Sequence, residues 1–438
     1  MMKLKNLTMC VAALLLIGVT SCNKNDSNGQ FEAGKPTYLE LNVSFQVPQT
    51  YATADGNATD TESAVKSVQV YIFETSSALL VSKSDILVAT DFTQSANGKK
   101  DVYTATKKIE TTTGEKSIYV AVNLPTSMDM ALGTTIAQMK TAVMTTSATV
   151  LANATTGFSM FSTSDITANL VETDDPLFAT KNTVTIPVER LTCKVAIQKG
   201  SSLILNQIGN GSLSNIQFAL KQSNKKIFRF PYLDNGVVID PNWETFVGTD
   251  FEDLTTVAGH EYVNISEASI SDNRALTVRY ALENTHKYHL QKEVTYASIK
   301  AFFVPEEFLD GNGQSKGSNV GNAPKDFWMV TTNDGTKNYF DMESEAYAYQ
   351  LLPDVAAKSP VKSETYQNGV CYYNLFLNPA GGYNAIRNAF YKATITQIIA
   401  PGNPGSEPKD PEQPVEVDTD LNVKFEVIPW DLVEWSQI

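Results

Sequence analysis

The chain has 438 residues, 42% of them hydrophobic, and its 34 basic and 48 acidic side chains leave a formal charge of −14. At roughly 150 residues per domain, two or three domains are expected, with ample chain to bury real cores. So acidic a surface is a poor partner for nucleic acid or anionic lipid headgroups, and neither is expected to bind.

Residues 1–21 read as an export signal. Lys3 and Lys5 give a basic start, residues 11–19 an apolar run too short to span a bilayer, and Val19-Thr20-Ser21 leads into Cys22. The small residues before Cys22 resemble a bacterial lipoprotein box, with Ser21 a less common choice. Cys22 is therefore expected to become the lipidated first residue of a 417-residue mature chain of charge −16. The alternative is an ordinary signal peptide cut nearby. Acyl chains would anchor the protein to a membrane without making it span one. Residues 22–36 are polar and read as a tether.

Residues 39–48, LELNVSFQVP, place Leu39, Leu41, Val43, Phe45 and Val47 at every second position, the pattern of a half-buried strand. Residues 49–64 have almost no apolar side chains and read as an exposed loop open to proteases. Strands are expected over 65–73, 85–93, 101–109 and 116–125, with Asn97-Gly98 as a turn. Residues 128–148 carry Ile136, Met139 and Val143 at helical spacing and read as a helix, weakened by many Thr. Residues 183–198 alternate over a length that carries one domain's last strand into the next domain's first, with the boundary near Glu189. Further strands are expected at 216–220, 275–281, 295–304, 327–331, 371–377 and 389–399. Short strands, frequent turns and few helices give an all-β sandwich architecture.

Residues 401–420 carry Pro401, Pro404, Pro408, Pro411 and Pro414 and read as an extended acidic arm, able to cover on the order of 60 Å. The competing reading is a surface loop that returns the last strand to its own sheet. Beyond it, residues 421–429 read LNVKFEVIP against LNVSFQVP at 41–48, so Leu421, Val423, Phe425 and Val427 repeat the inward face of the first strand. Trp430, Leu432 and Trp435 add apolar surface that needs a groove. Either two related domains each own such a strand, or the match is chance, or the last strand replaces the first in a neighbouring molecule. Head-to-tail donation does not close a ring, so it builds a filament.

No hydrolase, zinc-protease, Walker or paired C-x-x-C signature is present, and neither enzyme activity, cofactor nor metal is expected. His286 and His289 would face opposite sides of a strand and read as surface residues. His260 has no evident partner. Asp310-Gly-Asn-Gly and Asp334-Gly lack the later acidic ligands of a calcium loop and read as turns. Cys193 and Cys371 are expected as buried free thiols.

The lipoprotein signal at Cys22, YVAVNLP at 119–125, VERLTCKVAI at 188–197, and Tyr372-Tyr373 with NAIRNAFYKATITQI at 384–398, followed by a Pro/Gly segment and Pro429-Trp430, together resemble the major fimbrial subunits (fimbrillins) of Bacteroides-type bacteria. The resemblance implies two transthyretin-like β-sandwich domains in tandem with few short helices, laid out as 37–188 and 189–400, followed by a Pro-rich arm and donor strand at 401–438. It implies an exported outer-membrane lipoprotein that becomes part of a cell-surface fimbria. Its partners would be its own copies in a head-to-tail polymer, other fimbrial subunits, a processing protease, and host or bacterial surface ligands in adhesion. The family's cut is usually made after Arg in the loop after the first strand. Here the first Arg is Arg190, and the basic candidate in that region is Lys66. The alternatives are an unprocessed anchor or accessory subunit, or a monomeric glycan- or host-binding surface lipoprotein.

Overall fold

The computed structural model describes residues 34–45, 57–94, 102–173, 182–234, 236–416 and 420–430. The strand β1 (Pro36–Phe45) alternates buried and half-buried residues along its whole length, as its period-two sequence requires. It belongs to a ten-stranded sheet with β2 (Val68–Glu74), β3 (Leu79–Lys83), β4 (Phe92–Gln94), β5 (Val102–Ala105), β6 (Ile109–Thr112), β7 (Gly114–Val122), β8 (Met160–Ser162), β9 (Ile166–Leu170) and β10 (Thr183–Arg190). The order is β3-β2-β7-β8-β10-β1-β5-β4, with β9 on β7 and β6 on β1. The sheet folds over itself, so Leu39, Leu41 and Val43 share one core with Val70 and Ile72 of β2 and Ile118 and Val120 of β7.

Only Leu191 separates β10 from β11 (Thr192–Lys199), which lies in a different sheet. With β12 (Gly211–Lys221), β13 (Val263–Asn264), β14 (Val278–Leu282), β15 (Tyr296–Pro305), β16 (Val370–Phe376), β17 (Ala389–Ile398) and β18 (Leu421–Pro429), it forms a second sandwich. One layer runs β14-β11-β17-β18 and the other β13-β12-β15-β16. Val195, Ile197, Phe218, Ile299, Tyr373 and Ile395 fill the space between them. Cys193 and Cys371 are free and buried here, and burial pushes both thiols up to about 12, which leaves them inert. The protein is thus all-β, two sandwiches in tandem with only short helices. The sandwiches touch through Tyr71, Phe73, Tyr119 and Phe161 on one side and Ile227 and Phe230 on the other. Arg229 fastens the contact by donating from Nε and Nη2 to the Met128 carbonyl at 3.1 and 2.6 Å.

Five expectations need correction. The helix over 128–148 breaks into a 3-10 turn at Thr126–Met128, a helix at Ile136–Thr141, a strand at Val143–Thr145 and a turn of helix at Ala148–Leu151. Thr135 caps the middle piece and fixes its start, while β-branched residues favour the strand after it. Residues 85–93 form no long strand, only a bridge at Leu87, a 3-10 turn at Ala89–Asp91 and the start of β4. The described end of the 49–64 loop is only partly exposed: Thr59 caps the helix α1 (Asp60–Ser63), and Ala58, Glu62 and Ser63 are buried while Asp60 and Thr61 face solvent. His286 and His289 lie in a turn rather than a strand, because His289 adopts a φ of 53°, and their Nδ1 atoms meet at 3.1 Å. His286 is buried, and burial and then His289 push it down to about 4. Lastly, the Pro-rich segment does not stand free. Gly402, Ala400 and Ser406 accept hydrogen bonds from the hydroxyls of Tyr366, Tyr373 and Tyr296, and Glu407 and Glu412 pair with Lys221 and Lys292. A proline-rich backbone has few donors, but its carbonyls remain good acceptors, and this sandwich supplies tyrosines to meet them.

Candidate strand-exchange site

The seat of β1 is closed on both sides. β10 pairs with it in parallel, setting Leu41 against Val184, Val43 against Ile186 and Phe45 against Val188. On its other edge β5 places Tyr103 opposite Val43, and β6 places Ile109 opposite Leu39. Leu39, Leu41, Val43 and Phe45 are 0%, 0%, 1% and 4% exposed, and the Phe45 ring meets Tyr103 edge-on at 6.0 Å. Val47, the fifth residue of the expected set, and Cys22 lie outside the described residues. The outward face is tied down too. Asn42 accepts from the Thr104 hydroxyl at 2.6 Å and Glu40 pairs with Lys108, while at the start of the strand Asn182 donates to the Tyr38 carbonyl and, on the buried face, to the Thr37 hydroxyl. None of these partners carries a sequence signal of its own.

The seat of β18 is open on one side. Among the described residues it pairs only with β17, in antiparallel register, with Val423 opposite Ile395, Phe425 opposite Ala393 and Val427 opposite Tyr391. Leu421 is buried, but Val423, Phe425 and Val427 are only partly covered. A cleft lined by Phe376, Pro379, Tyr383, Leu421, Val423 and Phe425 runs beneath them. The two strands with the repeated sequence therefore sit in unlike places within one molecule. One is an interior strand of the first sandwich and the other an edge strand of the second. Leu432 and Trp435 lie outside the described residues.

Trp430, the residue that follows β18, is 1% exposed. It belongs to the core that β1 fills, beside Phe158, Tyr280 and Phe390. Arg190 of the VERLTCKVAI run holds it, with Nη1 2.6 Å from the Trp430 carbonyl. Arg387 of the NAIRNAF run is structural as well: it is buried, forks onto Glu283 at 2.9 and 2.8 Å, and precedes Asn388, whose amide donates to the Thr192 carbonyl.

Lys66 has an exposed side chain, yet the peptide around it is fixed. Asn123 accepts from the amides of Lys66 and Ser67 at 2.7 and 3.1 Å and donates to the carbonyls of Ala64 and Phe158. Asn123 adopts a φ of 52°, a conformation that Asn tolerates better than most residues. It stands in YVAVNLP, where an Asn before Leu-Pro was the available sign of a backbone corner. The Asp310 carboxylate is used by its own turn, accepting from the amides of Asn312 and Gln314.

These features define a class: an all-β protein of two sandwiches carrying one apolar strand motif twice, in seats of unequal quality. Comparison with known proteins places it further. The profile described as major fimbrial subunit protein (FimA) matches residues 37–200, and that of the C-terminal part of major fimbrial subunit protein type IV, fimbrillin, matches residues 364–435, together more than half of the chain. The chain belongs to the major fimbrial subunit, or fimbrillin, family. Membership of that family makes it a structural subunit of a cell-surface fimbria. Among solved structures it is similar to a proposed cell adhesion protein from Parabacteroides distasonis, with 15% identity, 92% of this chain and 98% of that one covered, and a TM-score of 0.48. A fimbrilin from Porphyromonas gingivalis gives 14% identity, 90% and 98% coverage and a TM-score of 0.47. The tip fimbrial protein Mfa3 of the same organism gives 14%, 90%, 100% and 0.37. No curated protein sequence matches.

Proposed function

We propose that this protein is a fimbrial building block that polymerises head to tail by strand exchange. It is exported as a lipoprotein through Cys22, loses β1 by a cut at Lys66, and takes β18 of the next subunit into the vacated groove. The working units are then residues 37–188 as acceptor, 189–400 as the second sandwich, and 401–438 as arm and donor.

The observation that carries this reading is the inequality of the two seats. β1 is paired on both edges and its inward side chains are fully covered, whereas β18 is paired on one edge and half covered. Four apolar side chains at about 1.5–3 kcal/mol each make the full seat worth roughly 6–12 kcal/mol as an upper figure. Leu421, Val423, Phe425 and Val427 repeat the side chains that fill it. Once β1 is gone, transfer from the poorer seat to the better one is downhill, and a second row of backbone partners adds a modest net gain. While β1 is covalently attached it wins by effective concentration, so the uncut chain does not polymerise.

A second reading has its own support. β18 is docked at home and the segment before it is fastened to the sandwich, as in an unprocessed anchor or accessory subunit, or a monomeric surface lipoprotein. A charge on the donor's inward face separates the two. Val423→Asp or Phe425→Asp should leave a folded monomer that forms no polymer, while Lys424→Glu, on the exposed face, should polymerise normally. N-terminal sequencing of shed fimbriae completes the test. A subunit beginning at Ser67 supports the cut, and one beginning at Cys22 removes processing from the mechanism. Normal polymers from Val423→Asp would rule out donation by β18.

A further inference from the structure

The chain just before Lys66 and the C-terminal strand meet in one buried cluster. Glu62 of α1 is 1% exposed. Its carboxylate sits 2.9 and 3.0 Å from Lys194 Nζ and accepts the Tyr280 hydroxyl at 2.7 Å. Its backbone carbonyl accepts from Nε and Nη2 of Arg190 at 3.3 and 3.2 Å. The Asn57 carbonyl takes a further bond from Lys194 at 3.0 Å.

The same three side chains surround Trp430. The Arg190 guanidinium lies 4.4 Å from the indole centroid, the Tyr280 ring stacks on it at 5.7 Å, and Lys194 Nζ stands 5.7 Å away. Among the described residues the indole N–H has no hydrogen-bond partner. Trp430 is therefore held by cation–π contact, stacking and its own carbonyl, all of which depend on how the clamp residues are oriented. Glu62 touches all three, Lys194 and Tyr280 through its carboxylate and Arg190 through its backbone carbonyl.

We propose that residues 57–66 are an intramolecular latch that keeps the C-terminal strand at home. With the segment attached, Glu62 holds Arg190, Lys194 and Tyr280 around Trp430. When the segment leaves with β1, Lys194 loses the Glu62 carboxylate and the Asn57 carbonyl, Tyr280 loses its acceptor, and Arg190 loses the Glu62 carbonyl. The clamp loosens and Trp430 is released. One cut then opens the acceptor groove and arms the donor strand, so uncut subunits are silent at both ends. The inference rests on the strand-exchange reading for its purpose and on the Lys66 cut for its trigger.

The clamp itself is tested without any cleavage. Amide hydrogen exchange of the unprocessed chain is compared for wild type, Glu62→Gln and Tyr280→Phe. Exchange across Leu421–Pro429 is expected to rise at least about tenfold in Glu62→Gln and by less in Tyr280→Phe, with β1 and β7 unchanged. Wild-type rates across Leu421–Pro429 in both variants overturn the latch, as does equal acceleration in β1, which reports general loosening. Should Glu62→Gln fail to fold, Tyr280→Phe carries the comparison. The trigger is read separately from the N-terminus of the mature subunit. A cut upstream of Asn57 leaves the latch in place and overturns the coupling, even where polymers still form by donation.

Discussion

Glu62 keeps its charge although it is buried, in a segment whose polar sequence reads as an exposed loop. Burial alone would raise its carboxyl, but Lys194, the Tyr280 hydroxyl and Arg190 outweigh that and hold it below the ordinary carboxylate value. A folded-state value below the unfolded one places the stabilisation above about pH 4.5, and it drains away as pH falls through the folded value. Lys194, Arg190, Tyr280 and, more distantly, Asp272 are the titratable groups that face the pair. Glu62→Gln should therefore cost roughly 3–5 kcal/mol near pH 7, the usual cost of removing one partner of a buried pair. The gap from wild type should close as pH falls through the lowered folded-state value, where wild-type Glu62 takes up its own proton. Urea denaturation of both chains across pH 3–7 measures this, and a gap independent of pH would mean that Glu62 acts through shape rather than charge.

At the scale of strands, the two copies of the repeat should respond unequally to truncation. Leu41→Ala opens a cavity in a core closed on all sides and should cost about 2–5 kcal/mol. Phe425→Ala removes a larger ring but from a half-covered edge, and should fall below the about 3–5 kcal/mol usual for a buried Phe. Chemical denaturation of the unprocessed chain decides it, and equal or reversed costs would contradict the inequality of the seats. Strands of this kind were legible in the sequence because one buried face forces strict alternation. β1 and β10 alternate as one buried face requires, whereas β7, covered on both faces, shows as a continuous apolar run. What periodicity cannot carry is who pairs with whom. Nothing in residues 421–429 says that β18 rests on β17, since the inward face would suit either seat. The Glu62–Lys194–Trp430 cluster was illegible for the same reason: it joins positions 132 and 236 residues apart in sequence, counted from Lys194. Met139 and Ile136 sit at helical spacing, but Thr135 and the Val143–Thr145 strand limit the helix to what local capping allows. At the described end of the 49–64 loop polarity does not always mean solvation: Asp60 and Thr61 are exposed, but Glu62 turns inward to meet buried cations.

For the whole molecule, strand exchange makes a geometric demand that a monomer cannot meet. The repeat aligns Leu421 with Leu41, Val423 with Val43 and Phe425 with Phe45. A donor that fills the vacated groove must keep this alignment, because a slip of one residue would turn every apolar side chain outward. It must also run parallel to β10, as β1 does, which brings Val423 of one subunit opposite Ile186 of the next, the place now taken by Val43. Within a single chain Val423 instead faces Ile395 in the other sandwich. A chain carrying both Val423→Cys and Ile186→Cys should thus stay uncrosslinked as an uncut monomer and form a ladder of disulfide-linked multimers once assembled. The native thiols do not interfere, since Cys193 and Cys371 are buried and hard to ionise. Pairing Val423→Cys with Val184→Cys or Val188→Cys tests the register, because those positions face Leu41 and Phe45 and should give weaker ladders. A ladder that favours either neighbour would mean a shifted donor. Polymers with no ladder from any of the three pairs would mean that the subunits join by some other surface.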